Sequence, residues 1–575
     1  MSRTKSVLLR AAAGLAAASL VLSACSQQSN TGTDEDSGGG DNKPSSGYPE
    51  VENTDISEGK PGGTFRLGIV EPVAIDPYNA QESEGILVAA YLFTGLTHTT
   101  PDGETEPAVA ESWESNEDCS EWTFNLKTGT KFHDGEEVTS ASFKRGWERV
   151  VAKASASDVA YHFDQIEGYE ELNGGTANAL SGVDASDPAV LKVKLAKPSC
   201  EFYIRTAHTA FSPMPKAAGA AQNQKFNDQP IGNGPFMMDG PWQHDAGIKL
   251  KRFDDYGAAD KAYLDAVEIT ILVGDETAQQ KELDGLNNGQ FDWARIPPNQ
   301  LKTTREKYEA QDGWISKKTF GIDFLLVAAT KAPMDDVKAR KAVSMAIDRD
   351  AIINGVFDGS RAPATSFVPG GFKDAYQPDV CDACKYDPEK AKQLAKEAGL
   401  TEGTELNFQF NTGGGHEEWT AAVKQQLEKN LGLKVNYSGV EFSDMLENQQ
   451  QPNSTGIYRL SWGADYATPG NFLQPLFSTE AIGTDDPNAP ALGDNRGRYS
   501  NPEFDDLVDE ATATKDEAER TDLYRQAEKI AIGDDLANIP MFERQQFRAF
   551  DSKKWANAGF MDFHENPPLN LIYQK

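Results

Sequence analysis

The sequence predicts an exported α/β protein of several parts, on three observations. At 575 residues it is too long for one ordinary domain, and a length of ~150 residues per domain suggests three or four. Its 38% hydrophobic and 9% aromatic content is enough to fill sizeable cores. Through the second half, strand-like segments alternate with amphipathic helical ones, the pattern of α/β layers.

Taken in order, residues 1–24 read as a signal peptide: Arg3, Lys5 and Arg10, then the apolar run "AAAGLAAASLVL" (11–22), too short and alanine-rich to span a membrane stably. "LSAC" follows, and the cysteine at position 25 resembles a bacterial lipobox, which implies cleavage before Cys25 and a diacylglycerol on its sulfur. The alternative is an ordinary signal peptide with a chance cysteine. Residues 25–60 are rich in Ser, Gly and Asp and predict a flexible tether.

Beyond the tether, "GGTFRLGIV" (62–70) predicts a strand and "EGILVAAYLFTGL" (84–96) a helix ending at a glycine. The stretch 122–150 predicts strand, turn, strand and helix, and "AVLKVKLAKP" (189–198) alternates as a half-buried strand does. "GNGPFMM" (232–238) reads as a glycine-punctuated return, "AVEITILVG" (266–274) as a strand, with a helical run to Gly289. Helices are expected at 337–357, 387–400 and 416–432, strands at 405–411 and 433–440, and two helices over 502–534.

A net charge of −34 argues against nucleic acid and polyanions as partners. Four cysteines remain after Cys25. An oxidising compartment and an even count suggest two disulfides, for which three connectivities exist. Cys119–Cys200 with Cys381–Cys384 is favoured, and a redox pair or half a zinc site is the alternative for "CDAC". The sequence lacks GxSxG, HExxH and GxxxxGK[ST], and its seven histidines show no metal-ligand spacing. Binding, not catalysis, is the expected role, with no cofactor and no metal.

One stretch combines unusual features. "YRLSWGADYATPGNF" (458–472) offers an arginine, a tryptophan, a carboxylate and small residues within one short segment. An exposed strand can add an extended peptide to itself, and Ser461, Gly463 and Ala464 leave room for that backbone. A carboxylate such as Asp465 can take a cation in a charge-assisted bond, Arg459 can hold a carboxylate as a planar fork, and Trp462 offers an apolar wall. The bland alternative makes Trp462 core and Asp465 a turn residue.

The blocks "WTFNLKTGTKFHDGEEVTSASF" (122–143), "NGPFMM" (233–238), "APMDDVKARKAVSMAIDRDAI" (332–352), "YDPEKAKQLAKEAG" (386–399) and "YSNPEFDDLVDEA" (499–511) resemble the family 5 extracellular solute-binding proteins of ABC importers. Their order is kept across about 61–575. The resemblance implies a type II periplasmic-binding-protein-like clamshell: lobe I from 61–104, 225–320 and 541–575, an inserted domain from 105–224, and lobe III from 321–540, with crossings near 318–325 and 536–542. Within the family the chain most resembles oligopeptide-binding proteins. That implies Asp465 on the peptide ammonium, Arg459 on the carboxylate of short peptides, and Asn411 and His416 of "NTGGGH" near the ligand. Glu82 and Ser83 are then expected against the ligand from the opposite lobe, and Tyr161 is a weaker match. Departures lie at "MFERQQF" (541–547) and "ENQQQPN" (447–453), so side-chain preference and peptide length are not carried over. The implied partners are an oligopeptide, the permease and ATPase subunits, and the membrane through Cys25, with the protein a monomer. An oligosaccharide, a nickel complex or a signalling peptide on the same scaffold is the rival. A surface enzyme is the rival of another class.

Overall fold

A computed structural model describes residues 48–52, 56–259, 261–273, 277–412 and 415–575. The expected signal peptide, Cys25 and most of the tether lie outside these residues.

One sheet orders Thr64–Ile69, Ala266–Ile271, Gly247–Arg252 and Phe236–Met238, the first two parallel and the rest antiparallel. A second, antiparallel sheet orders Ala110–Ser115, Glu121–Leu126, Val190–Lys194 and Val183–Asp187. The largest runs Trp293–Arg295, Ile539–Phe550, Trp314–Val327, Ile457–Gly463, Glu405–Asn411 and Lys434–Val440, with Ala362–Pro363 added on Ile539–Phe550. Three buried cores lie against these sheets. Phe65, Val267 and Trp555 mark the first. Phe124, Trp147 and Phe211 mark the second. Phe324, Phe408, Trp419 and Phe542 mark the third.

Two long antiparallel strands, Trp314–Val327 and Ile539–Phe550, serve two of these cores at once. Ile315 and Phe550 pack into the first, Phe324, Leu325 and Phe542 into the third. Their pairing breaks between Lys318 and Ile322 and shifts again between Asp323 and Phe324. The backbone between the two cores is therefore tied by fewer ladder bonds than the stretches on either side.

Local chemistry sets the element boundaries, and some differ from expectation. The helix expected at 337–357 is two, Val337–Met345 and Arg349–Val356. Asp348 starts the second by accepting from Ala351 N at 2.9 Å. The buried Arg349 guanidinium holds the break, donating to the carbonyls of Ser344, Cys384 and Pro540. The helix Ser83–Leu92 stops at Phe93, short of the glycine. The second strand expected in 122–150 shrinks to a single bridge, Lys131–Glu137. Disulfides join Cys119 to Cys200 and Cys381 to Cys384, with S–S distances of 2.01 and 2.04 Å.

The tether expected over 25–60 is not free along all of that span. Val51 bridges Ser316, the Tyr48 ring packs edge-on against Phe547, and Glu52 pairs with Lys317 at 3.3 Å. Ser57 bonds Asn557 and Tyr573. Isolated apolar and charged residues among the polar ones fasten the segment, with Tyr48 and Val51 packed against a smaller cluster that includes Leu283, Trp314 and Phe547.

Candidate functional site

Alternation along Ile457–Gly463 puts Arg459, Ser461 and Gly463 on one face of the strand. Leu460 and Trp462 point to the other. Leu460 is buried in the third core, and the half-buried Trp462 packs against it, its Nε1 donating to Asn471 Oδ1 at 3.3 Å. One edge of the strand is fully laddered to Trp314–Val327, with Gly463 opposite Gly321 and Ser461 opposite Asp323. The other edge pairs with Glu405–Asn411 only at Ile457 and Tyr458. From Arg459 to Gly463 that edge has no strand partner among the described residues.

A cationic cluster lies at the Arg459 end. The buried Arg459 guanidinium donates to Asn411 Oδ1, Asp323 Oδ1 and Ser461 Oγ, each at 3.3 Å. Its Nε is buried with no hydrogen-bond partner among the described residues. Asp323 also accepts from Arg361 Nη1 at 2.6 Å. The Arg544 side chain lies over the glycine pair: a Cβ at Gly321 would come within 2.9 Å of its Cδ, and one at Gly463 within 3.6 Å of its Nη1. Burial pulls the Arg459 pKa down to about 10, Asp323 opposes this, and Arg544 and Arg361 add to it. Burial acts to raise the Asp323 pKa, but Arg361, Arg459 and Arg544 outweigh it and hold that carboxyl below its ordinary value. His416 is pulled to about 4, by burial first and then by Arg459, so its ring is neutral at pH 7. That ring stands at the start of the helix Glu417–Leu431, where Nδ1 accepts from Trp419 Nε1 at 3.2 Å.

The opposite charge gathers just past the other end of the strand. Asp465 N donates to Asn471 Oδ1 at 3.0 Å, and Asn471 Nδ2 returns a bond to Asp465 Oδ2 at 3.3 Å. Burial lifts the Asp465 pKa to about 6, Asp494 adds to this, and the Asn471 bond and Arg205 oppose it. Burial also raises Asp494, against Arg496 at 2.8 Å. Tyr161, from the body of the second core, is 48% exposed yet feels burial and the Asp465 charge, which both raise its pKa. Close by, Arg205 lies over the Tyr466 ring at 4.7 Å and pairs with Asp164 at 2.9 Å.

Asn411, Ser461 and Arg459 thus meet in one cluster with His416 close by, and Asp465 and Tyr161 meet in another. Glu82 and Ser83 are joined to neither among the described residues. Glu82 caps its own helix, accepting from Gly85 N at 2.9 Å and Val73 N at 3.0 Å. Five residues of the two clusters escape a reading of the sequence: Asp323, Arg361, Asn471, Asp494 and Arg544. Asp323 leaves a trace, as the one charge inside the apolar run "FGIDFLLV". Arg544 sits in the departing "MFERQQF" segment.

An open strand edge between opposite charges, on a sheet that shares two strands with a separate lobe, defines a two-lobed binding protein. The chain belongs to the bacterial extracellular solute-binding proteins, family 5, whose model matches residues 104–484. It is a binding protein of the clamshell fold and not an enzyme. It is 30% identical over 496 residues to the oligopeptide-binding protein OppA of Bacillus subtilis, covering 83% of this chain and 87% of the relative. To the glutathione-binding protein GsiB of Escherichia coli it is 27% identical over 467 residues, covering 79% and 84%. Among solved structures, the murein tripeptide binding protein MppA of Escherichia coli superposes with a TM-score of 0.71 at 25% identity, covering 91% of this chain and all of that one.

Proposed function

We propose that this chain captures oligopeptides between its lobes and delivers them to the permease of an ABC importer, held to the membrane by a lipid on Cys25. The observation that carries the reading is the unpaired edge of Arg459–Gly463, bounded by Asp465 on one side and an arginine cluster on the other. A peptide laid along that edge gains main-chain hydrogen bonds whatever its side chains are. Its ammonium meets a carboxylate that burial has left short of compensation, and its terminal carboxylate meets guanidinium groups in excess. Relatives named for oligopeptides and for glutathione, itself a tripeptide, support a peptide as the solute.

The lobes are drawn at 61–104 with 225–320 and 541–575, the inserted domain at 105–224, and lobe III at 321–540. Closure pivots where the two long strands lose register, between Lys318 and Ile322. Glu82 and Ser83 approach the ligand from the facing lobe on closure.

The test is calorimetry with trialanine, its N-acetylated form and its C-terminal amide. Acetylation should weaken binding at least 100-fold, and oligosaccharides should not bind. Equal affinity for free and acetylated peptide would refute the assignment of Asp465. Mass spectrometry of membrane-extracted protein tests the lipid, and Cys25→Ser should release the protein from cells.

A further inference from the structure

The cationic end of the cleft holds more charge than one peptide terminus needs. Arg361, Arg459 and Arg544 act together on a single carboxylate, Asp323. Arg361 and Arg459 are bonded to it, at 2.6 and 3.3 Å. Arg544 has no hydrogen bond or ion pair among the described residues. Its neighbour Glu543 is turned to the other face and engaged there, with Tyr376 Oη at 2.6 Å and Lys318 at 2.8 Å. His416 adds no charge at pH 7, and the carboxylates that act on its ring are Asp323 and, more weakly, Glu417. Three guanidinium groups therefore share one bonded carboxylate, in a protein whose overall charge is −34. One carboxylate, the peptide's own terminus, neutralises one of them. The guanidinium of Arg544 stays over the bare backbone of Gly321 and Gly463, where no side chain separates it from a strand-added ligand.

We propose that Arg544 receives a second carboxylate of the ligand, an acidic side chain, so that the cleft prefers peptides carrying Glu or Asp. This rests on the peptide reading above. It adds a specificity element that the terminal groups alone do not supply. A planar guanidinium binds a carboxylate through two parallel bonds and has no comparable match to an amide. Discrimination between Glu and Gln is therefore the signature, whereas a cation that only attracts charge in solvent gives almost none.

The experiment is calorimetry on tripeptides that place Glu or Gln at each position in turn, each with a free and an amidated C-terminus. Wild-type protein should prefer Glu over Gln at least tenfold at one position. Arg544→Gln should bring that preference within twofold, whatever it does to the affinity for the Gln peptide. Arg544→Lys should keep part of the preference. The penalty for C-terminal amidation should be the same in wild type and Arg544→Gln. Equal binding of Glu and Gln peptides at every position overturns the proposal and leaves the peptide reading intact. Loss of the amidation penalty in Arg544→Gln also overturns it, by assigning Arg544 to the terminus. Binding of none of these peptides overturns both readings. A thermal melt of Arg544→Gln within 2 °C of wild type certifies the comparison, and if the variant is destabilised the Glu-to-Gln ratio in wild type and Arg544→Lys decides it.

Discussion

Lowering the pH from 7 to 5 should weaken peptide binding about tenfold through one side chain, Asp465. In the ligand-free protein burial lifts this carboxyl from 3.8 to about 6. A pKa raised in the folded state means that stability from this group is fully present below about pH 3.8. It is lost as pH rises through about 6, by about 3 kcal/mol at 1.36 kcal/mol per unit. The ligand-free cleft therefore works against its own ionised carboxylate at neutral pH. A peptide ammonium removes that opposition, since charge next to charge replaces charge facing apolar surface. Binding requires the ionised form, so the apparent Kd grows by one plus the ratio of protonated to ionised Asp465. With a pKa of about 6 that factor is about 1.1 at pH 7 and about 11 at pH 5. The peptide's own groups stay charged across this range, at about 8 for the ammonium and about 3.5 for the carboxylate. His416, pulled to about 4, stays neutral. Isothermal calorimetry at pH 5, 6 and 7 measures the slope, and titration in two buffers of different ionisation enthalpy should show proton release on binding near pH 5.5. Asp465→Asn should bind at least 100-fold more weakly at pH 7, by analogy with ~3–5 kcal/mol for breaking a buried pair, and should lose most of the pH dependence. A wild-type affinity flat between pH 5 and 7, or an Asp465→Asn variant within threefold, would refute the reasoning.

Three further outcomes concern stability. Asp76 is wholly buried and takes two bonds from Arg149, at 2.8 and 2.7 Å, so Asp76→Ala should cost about 3–5 kcal/mol, read as a lowered denaturant midpoint. The Cys119–Cys200 bridge closes a separation of 81 residues, and replacing both cysteines by serine should cost about 4.5 kcal/mol; the same change at Cys381–Cys384, separated by 3, should cost about 2 kcal/mol. Glu201 accepts from Tyr524 Oη at 2.5 Å and from Thr468, and pairs with Arg520 at 3.3 Å. Glu201→Ala leaves those buried groups short of a partner, and the unfolding free energy should fall by at least about 1 kcal/mol, read by chemical denaturation.

Much of the fold is legible in the sequence because local rules decide it. Asp387 before Pro388 and Asn501 before Pro502 announce helix starts, and the structure begins helices at both prolines. The strands 405–411 and 434–440 alternate plainly and pair in parallel. The two long strands that join the cores are far less visible. "WISKKTFGIDFLLV" carries two lysines, a glycine and an aspartate, which break any alternation. Each of the three charges is answered from outside the strand, Lys317 by Glu52, Lys318 by Glu543, Asp323 by Arg361 and Arg459. A residue whose partner lies hundreds of positions away looks, in sequence, like a defect in its strand.

The same asymmetry runs through the candidate site. Asp465, Arg459 and the small residues between them occupy one segment, so one segment can suggest them. The residues that set their charge are scattered: Arg361 precedes the short strand Ala362–Pro363, Arg544 sits within Ile539–Phe550, Asn471 opens the next helix, and Asp494 lies in a loop. Alone, Arg459 reads as a sufficient receptor for one carboxylate. With Asp323 bonded to it and two more guanidinium groups alongside, its own charge is partly spoken for, and its pKa falls to about 10 under burial and the neighbouring cations. On the peptide reading proposed above, what the cleft selects follows from the cluster's total charge and not from Arg459 alone. Peptide specificity, measured as the Glu-to-Gln ratio in calorimetry, should shift more readily through substitutions at 361 and 544 than through changes within 458–466, because on that reading the strand supplies what every peptide needs and the surrounding cations decide which peptides gain more.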